Sequence, residues 1–177
     1  MDFLNSIILL TNFIIVPGIT YGSQLALGAI GVTLIYGVLR FANFAYGDLM
    51  AFGTMVVILM TWYLQSKGIS FGLLPTALLA LPIGILLTIA VSLFFDKTVF
   101  EYYRNKKSNP VTFIVVSLGI MFVLNAVVRI IIGPNDINFM DGHKFIMKAR
   151  EFKQLTGLNE GLAIKSTQVI TLSLIHI

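Results

Sequence analysis

"LALGAIGVTLIYGVLRFANFAYGDLMAFGTMV" (residues 25–56) joins two apolar runs through one polar cluster, RFANFAYGD at residues 40–48. An arginine, an asparagine, a tyrosine and an aspartate thus sit where one hydrophobic run hands over to the next. A bilayer core takes about 20 mostly apolar residues as a helix, because backbone polar groups inside it must be satisfied within the protein. Extended outward, the two runs reach that length, from Ile19 to Leu39 and from Phe44 to Leu64. Two more follow, Leu73 to Phe95 and Val111 to Ile132. A fifth begins near Thr167 and reaches Ile177 after about 11 residues, too few to cross. Phe3 to Val16 is apolar but short, and Pro17-Gly18 is expected to close it. It reads either as a short or tilted span or as a helix lying in the interface.

Composition sets the class. Hydrophobic residues make up 57% of the 177 and charged residues 11%, with a mean hydropathy of +0.92. A soluble domain has about a quarter of its residues charged, so the expected fold is an all-α polytopic transmembrane helical bundle. It is expected to stop within about the fifth full span, residues 1–177 being part of a single membrane domain. The apolar runs leave no basic folded face for nucleic acid. With no cysteines, disulfides and cysteine-ligated metals are excluded. Met1-Asp2 opens the chain without a basic region or a clear small-residue cleavage site, which does not read as a removable signal peptide.

Lys and Arg in short loops orient spans. Asp96 to Pro110 holds Lys97, Arg104, Lys106 and Lys107. Gly133 to Lys165 holds Lys144, Lys148, Arg150, Lys153 and Lys165, diluted by Asp136, Asp141, Glu151 and Glu160. One span separates the two loops, and the denser positive charge puts the first on the cytoplasmic side. The second then faces outward, long enough to fold over the mouth, and the RFANFAYGD cluster lies near the cytoplasmic surface.

In the first full span Gly18, Gly22, Ala26, Ala29, Thr33 and Gly37 recur at steps of three or four, which places them on one helical face. Small faces let helix backbones approach closely in lipid. The stripe serves either packing within the chain or contact with a partner permease or a translocation path. Gln24, among Tyr21, Ser23 and Tyr36 in the same span, is costly to leave in lipid and is a candidate substrate ligand. Pro82 removes a helical hydrogen bond from the third span, and a kink is expected near it. Asn125 and Arg129 share a face of the fourth span. Arg129 either snorkels to the headgroups or draws an anionic carboxylate into the path.

Catalytic patterns are missing. The chain carries no GxxxxGK[ST] loop for nucleotide phosphates and no GxSxG nucleophile turn. His143 and His176 lack the spacing of a metal site. No metal and no cofactor is expected, and nothing argues for an enzyme.

The stretch quoted first resembles a known family, the H-type permease subunit of branched-chain amino acid ABC importers. In that family a Gly-rich span runs into asparagine-phenylalanine-alanine-histidine-glycine and an acid. Asn43, Phe44, Ala45, Gly47 and Asp48 match it, and Tyr46 stands where histidine is usual. "FEYYRNKKSNPVTFIVVSLGIMFVLNAVVRIIIGPND" (residues 100–136) follows the family's basic loop, serine-glycine span and glycine-proline exit. The resemblance implies a multi-pass subunit of the bacterial inner membrane. Its partners would be a second, M-type permease, two ATP-binding subunits that hydrolyse ATP, and a periplasmic substrate-binding protein. It also implies that the coupling loop and C-terminal spans lie beyond these residues. Permeases of the same family for urea or short amides, and a stand-alone secondary transporter or channel, are the other readings. Ion coupling by a lone transporter usually needs buried acids, and Asp48 is the one candidate in the spans.

On this reading the polar cluster breaks the helical ladder where backbone can line a cavity. Asn43, Tyr46 and Asp48, with Gln24, Asn125 and Arg129, form the candidate path or gate. Asp48 is expected to cap the following helix through its free N–H groups. The orientation has a direct check. In Asn105→Cys, the thiol is expected to resist a membrane-impermeant reagent in intact cells, and ready labelling inverts the topology.

Overall fold

A computed structural model describes residues 2–70, 72, 74–135, 139, 141, 145–157 and 159–176. Among the described residues, four helices are long and apolar enough to cross a membrane, over Phe3–Leu39, Ala45–Ser66, Ala77–Asn105 and Pro110–Ile132. The protein is an all-α polytopic helical bundle. Among the described residues, the one sheet is a two-stranded ribbon. Large apolar side chains such as Val38, Leu86, Phe122 and Ile130 point outward, as expected where the solvent is lipid.

Helix α1 (Asp2–Leu10) passes through a π-helical turn at Thr11–Ile15 into α2 (Val16–Leu39). Pro17-Gly18 therefore does not close the first apolar segment, contrary to the expectation from sequence. Proline lacks an N–H and its ring crowds the carbonyl four residues back. The wide turn just before it, in which the Val16 N–H reaches back to the Thr11 carbonyl, makes that room.

The chain divides into two compact units, Met1–Ile30 with Phe71–Pro75 and Met140–Ile177, and Gly31–Ser70 with Thr76–Phe139. In the second, α3 (Ala45–Ser66) packs against both α4 (Ala77–Phe95) and α6 (Pro110–Ile132). Pro82 lies inside α4 without ending it. Beyond Phe95 the chain stays helical, through a π turn at Asp96–Phe100 and α5 (Glu101–Asn105). The expected loop Asp96 to Pro110 thus shrinks to a short turn, because its charged residues are good helix formers and nothing before Lys106 breaks the ladder. Arg104 donates two 2.8 Å hydrogen bonds to the Asp96 carboxylate along this extension.

The core of this unit is Phe41, Ala45, Phe100, Ile120 and Leu124. The Phe41 ring lies 5.2 Å from Phe113 and 5.8 Å from Phe100, centroid to centroid. Where α3 meets α4, two glycines set the spacing. A side chain on Gly84 would overlap Val57, and a Cβ on Gly53 would stand 2.6 Å from the Thr88 hydroxyl. That hydroxyl already donates to the Gly84 carbonyl at 2.7 Å, which removes a polar group from lipid at no expense to the ladder.

In the first unit β1 (Phe145–Met147) pairs antiparallel with β2 (Ile164–Lys165). Between them α7 (Ala149–Thr156) ends at Gly157, whose φ of 68° gives the left-handed cap. The segment expected to open a fifth span is helical, as α8 (Ser166–His176). Two asparagines of the first helix fasten this folded loop. Asn12 donates to the Gly161 carbonyl at 2.7 Å and accepts from the Ala163 N–H at 3.1 Å. Asn5 accepts from the Glu160 N–H at 3.3 Å.

Gly84→Leu is expected to destabilise the bundle by about 1–3 kcal/mol, the usual range for overpacking. The stiff Val57 side chain cannot swing aside. Gly119→Leu, where a Cβ meets open space, serves as control, and thermal unfolding in detergent compares the two.

Candidate functional site

The break between α2 and α3 is built residue by residue. Arg40 takes a φ of 59°, a left-handed conformation that a non-glycine residue adopts at some strain. Its N–H still bonds the Tyr36 carbonyl at 2.9 Å. Phe41 then turns into the aromatic core. The first N–H groups of α3 need acceptors in this apolar setting. The Phe44 N–H donates to the Ser117 hydroxyl at 3.2 Å, and the Ala45 N–H to the Asn43 side chain at 3.1 Å. Ser117, fully buried on α6, donates its own hydroxyl hydrogen bond to the Ile114 carbonyl at 2.8 Å.

Capping therefore falls to Asn43 and Ser117, which corrects the expectation for Asp48. Asp48 does lie in the first turn of α3, near the positive end of the helix, but it makes no cap hydrogen bond. Its carboxylate turns sideways instead and accepts from the Asn125 Nδ2 at 2.9 Å. The Asn125 Oδ1 accepts in turn from the Arg129 Nε at 2.8 Å. An amide suits this place, since it offers a donor to the anion and an acceptor to the cation. The three residues join α3 to α6 as one hydrogen-bonded chain, and a bridged charge is less costly in a span than a lone one. Ser117 stands about two turns into α6, so the polar cluster begins partway along that helix rather than at its end.

Asn43 and Tyr46 converge from the other side. With Ser92 and Phe100 they line a cavity of about 70 Å³. A larger one of about 770 Å³ shares Asn43, Ser92 and Phe100 and is lined also by Arg40, Asp96 and Arg104. The Tyr46 hydroxyl reaches the backbone of Gly31, where a Cβ would overlap it. The structure thus brings together Asp48, Asn125 and Arg129 by hydrogen bonds, and Asn43 and Tyr46 around shared space. Gln24 lies exposed in the first unit, outside this group.

The small-residue stripe stays uncovered over most of its length. Ala26 is half-buried, while Gly18, Gly22, Ala29, Thr33 and Gly37 are exposed. A Cβ at Gly18, Gly22 or Gly37 would meet nothing. The sequence reading missed Ser117, Ser92, Gly31, Gly53 and Gly84. For Ser117 a signal existed, a lone hydroxyl in the middle of an otherwise apolar run. Among the described residues no group of three or more His, Cys, Asp or Glu could hold a metal ion.

The family described as branched-chain amino acid transport system / permease component matches residues 14–172. The high-affinity branched-chain amino acid transport system permease protein LivH of Escherichia coli K12 is 30% identical over 121 residues, 68% of this chain and 38% of that protein. The proteins of the same name from Escherichia coli O157:H7 and Salmonella typhimurium match to the same extent. The chain spans 38% of the length of these curated relatives. No solved structure matches.

Ser117→Ala is expected to destabilise the unit by about 1–3 kcal/mol, the penalty of leaving a buried donor unpaired. Hydrogen exchange locates the effect. The Phe44 amide should exchange faster in the variant while amides in the middle of α4 keep their protection.

Proposed function

The chain belongs to the family of permease components of branched-chain amino acid transport systems, and from that membership we propose that it serves as a permease subunit of an ABC importer. Its cargo on this reading is a branched-chain or related amino acid, carried across the bacterial inner membrane. A second permease subunit completes the path, two ATP-binding subunits supply the energy and a periplasmic binding protein delivers the substrate. The similarity to LivH over 68% of the chain supports this assignment. The uncovered stripe from Gly18 to Gly37 is proposed as contact surface for a further permease helix, because small faces in lipid favour close helix approach, while Gln24 is proposed to meet substrate from another face of the same helix.

One observation carries the site. Asp48, Asn125 and Arg129 present an anion, an amide and a cation in line between two spanning helices. An amino acid is a zwitterion, so its ammonium matches Asp48 and its carboxylate matches Arg129. The Asn125 amide bridges the two charges. Asn43 and Tyr46, on the cavity side of α3, are proposed to line the path beside this chain.

Uptake of radiolabelled leucine by the assembled importer tests the proposal. Asp48→Asn and Arg129→Gln are each expected to lower uptake about tenfold or more, the effect of losing a charge-assisted hydrogen bond. Membrane abundance and docking of the binding protein should stay normal. Full uptake in both variants would remove these charges from the path.

A further inference from the structure

The first unit contains a second cavity, about 440 Å³ in volume, between the start of the first helix and the folded loop. Its lining includes two lysines, Lys153 on α7 and Lys165 on β2, and one acid, Glu160. Among the described residues the one salt bridge joins Arg104 to Asp96. Glu160 and Lys153 therefore share a space without pairing, while the Lys165 ammonium lies over the Phe145 ring, 6.0 Å from its centroid. Apolar side chains, Leu9 and Phe13, complete the wall.

The frame of the cavity does not use those charges. Asn12 holds the backbone on either side of residue 162, through the Gly161 carbonyl and the Ala163 N–H. Asn5 takes the backbone N–H of Glu160 and leaves its carboxylate unused. Gly161 seats directly on the Ala149 backbone, too close for any side chain, which fixes the start of α7 and with it Lys153. A site held open by amide clamps keeps its charged groups in place before a ligand arrives, and such preorganisation favours binding.

We propose that this cavity is a second binding site, for a zwitterionic α-amino acid with an aliphatic side chain. Glu160 pairs with the ammonium, Lys153 with the carboxylate, and Leu9 and Phe13 border the hydrocarbon. Its volume falls within the range of about 300–1,000 Å³ usual for small-molecule pockets. The choice of an amino acid as ligand rests on the transport reading above; the charge pattern and the apolar wall stand without it.

The 177 residues contain no cysteine, so a single thiol reports on the site. Ala163 borders the cavity, and Ala163→Cys adds one small atom there. In the purified permease in lipid nanodiscs, without partner subunits, the rate of maleimide labelling at residue 163 is measured. Leucine at ten times its dissociation constant should slow labelling about tenfold, since protection follows simple mass action. 4-Methylpentanoate, which lacks the ammonium, and 3-methylbutylamine, which lacks the carboxylate, should not slow it. Glu160→Gln and Lys153→Gln should each abolish most of the protection. Labelling unaffected by leucine, or slowed equally by 4-methylpentanoate, overturns the proposal. Leucine protection with no uptake by the assembled importer supports this site and sinks the transport reading. Uptake without protection does the reverse.

Discussion

A peptide N–H placed among apolar side chains must find an acceptor, and at Phe44 the acceptor is a hydroxyl on another helix. The rest of the second unit follows from that bond. It allows α2 to end and α3 to begin in the interior of the bundle, with the Asn43 side chain covering the next donor. It also sets the register of α3 against α6. With Phe44 held at Ser117, Asp48 comes level with Asn125, four residues on in one helix and eight in the other. Had α3 begun a turn earlier or later, the carboxylate would no longer stand opposite the Asn125 amide. Position of the charge is thus a consequence of where one backbone donor is satisfied.

Much of the architecture was legible from hydropathy alone, because a lipid solvent leaves few alternatives to a long apolar helix. Among the described residues, four spanning helices overlap the four apolar runs, the first of them beginning at Phe3 rather than Ile19 and the third running on to Asn105. The failures have physical causes. Asp96 to Asn105 looked like a loop because it is charged, but charge is no barrier to a helix that has emerged from the apolar layer. Pro17 looked like a stop because the π turn before it has no sequence mark. Asp48 looked like a cap because it is the acid of the first turn; the first donors are instead covered by Asn43 and by Ser117 on another helix. The partner of Asp48 lies 77 residues away, and no local pattern reports such a distance. The ribbon from Phe145 to Lys165 is too short to leave a period.

Glycine does different things in different helices. In α3 and α4 it is structural at close quarters, and Gly53 and Gly84 let two backbones approach until a hydroxyl and a valine fill the gap. In the first helix the spaced glycines meet open space. Sequence spacing alone treats both as small faces. Only the packing separates a contact already made within this chain from a surface left open.

The close approach of Tyr46 to Gly31 ties two positions that lie 15 residues apart and on different helices. A phenol at one demands the absence of a side chain at the other. In family members with the usual histidine at the position of Tyr46, the shorter ring would withdraw from that backbone, and alanine would fit in place of Gly31. The two positions should therefore change together, and a tyrosine transplanted alone into such a relative would arrive against a methyl group.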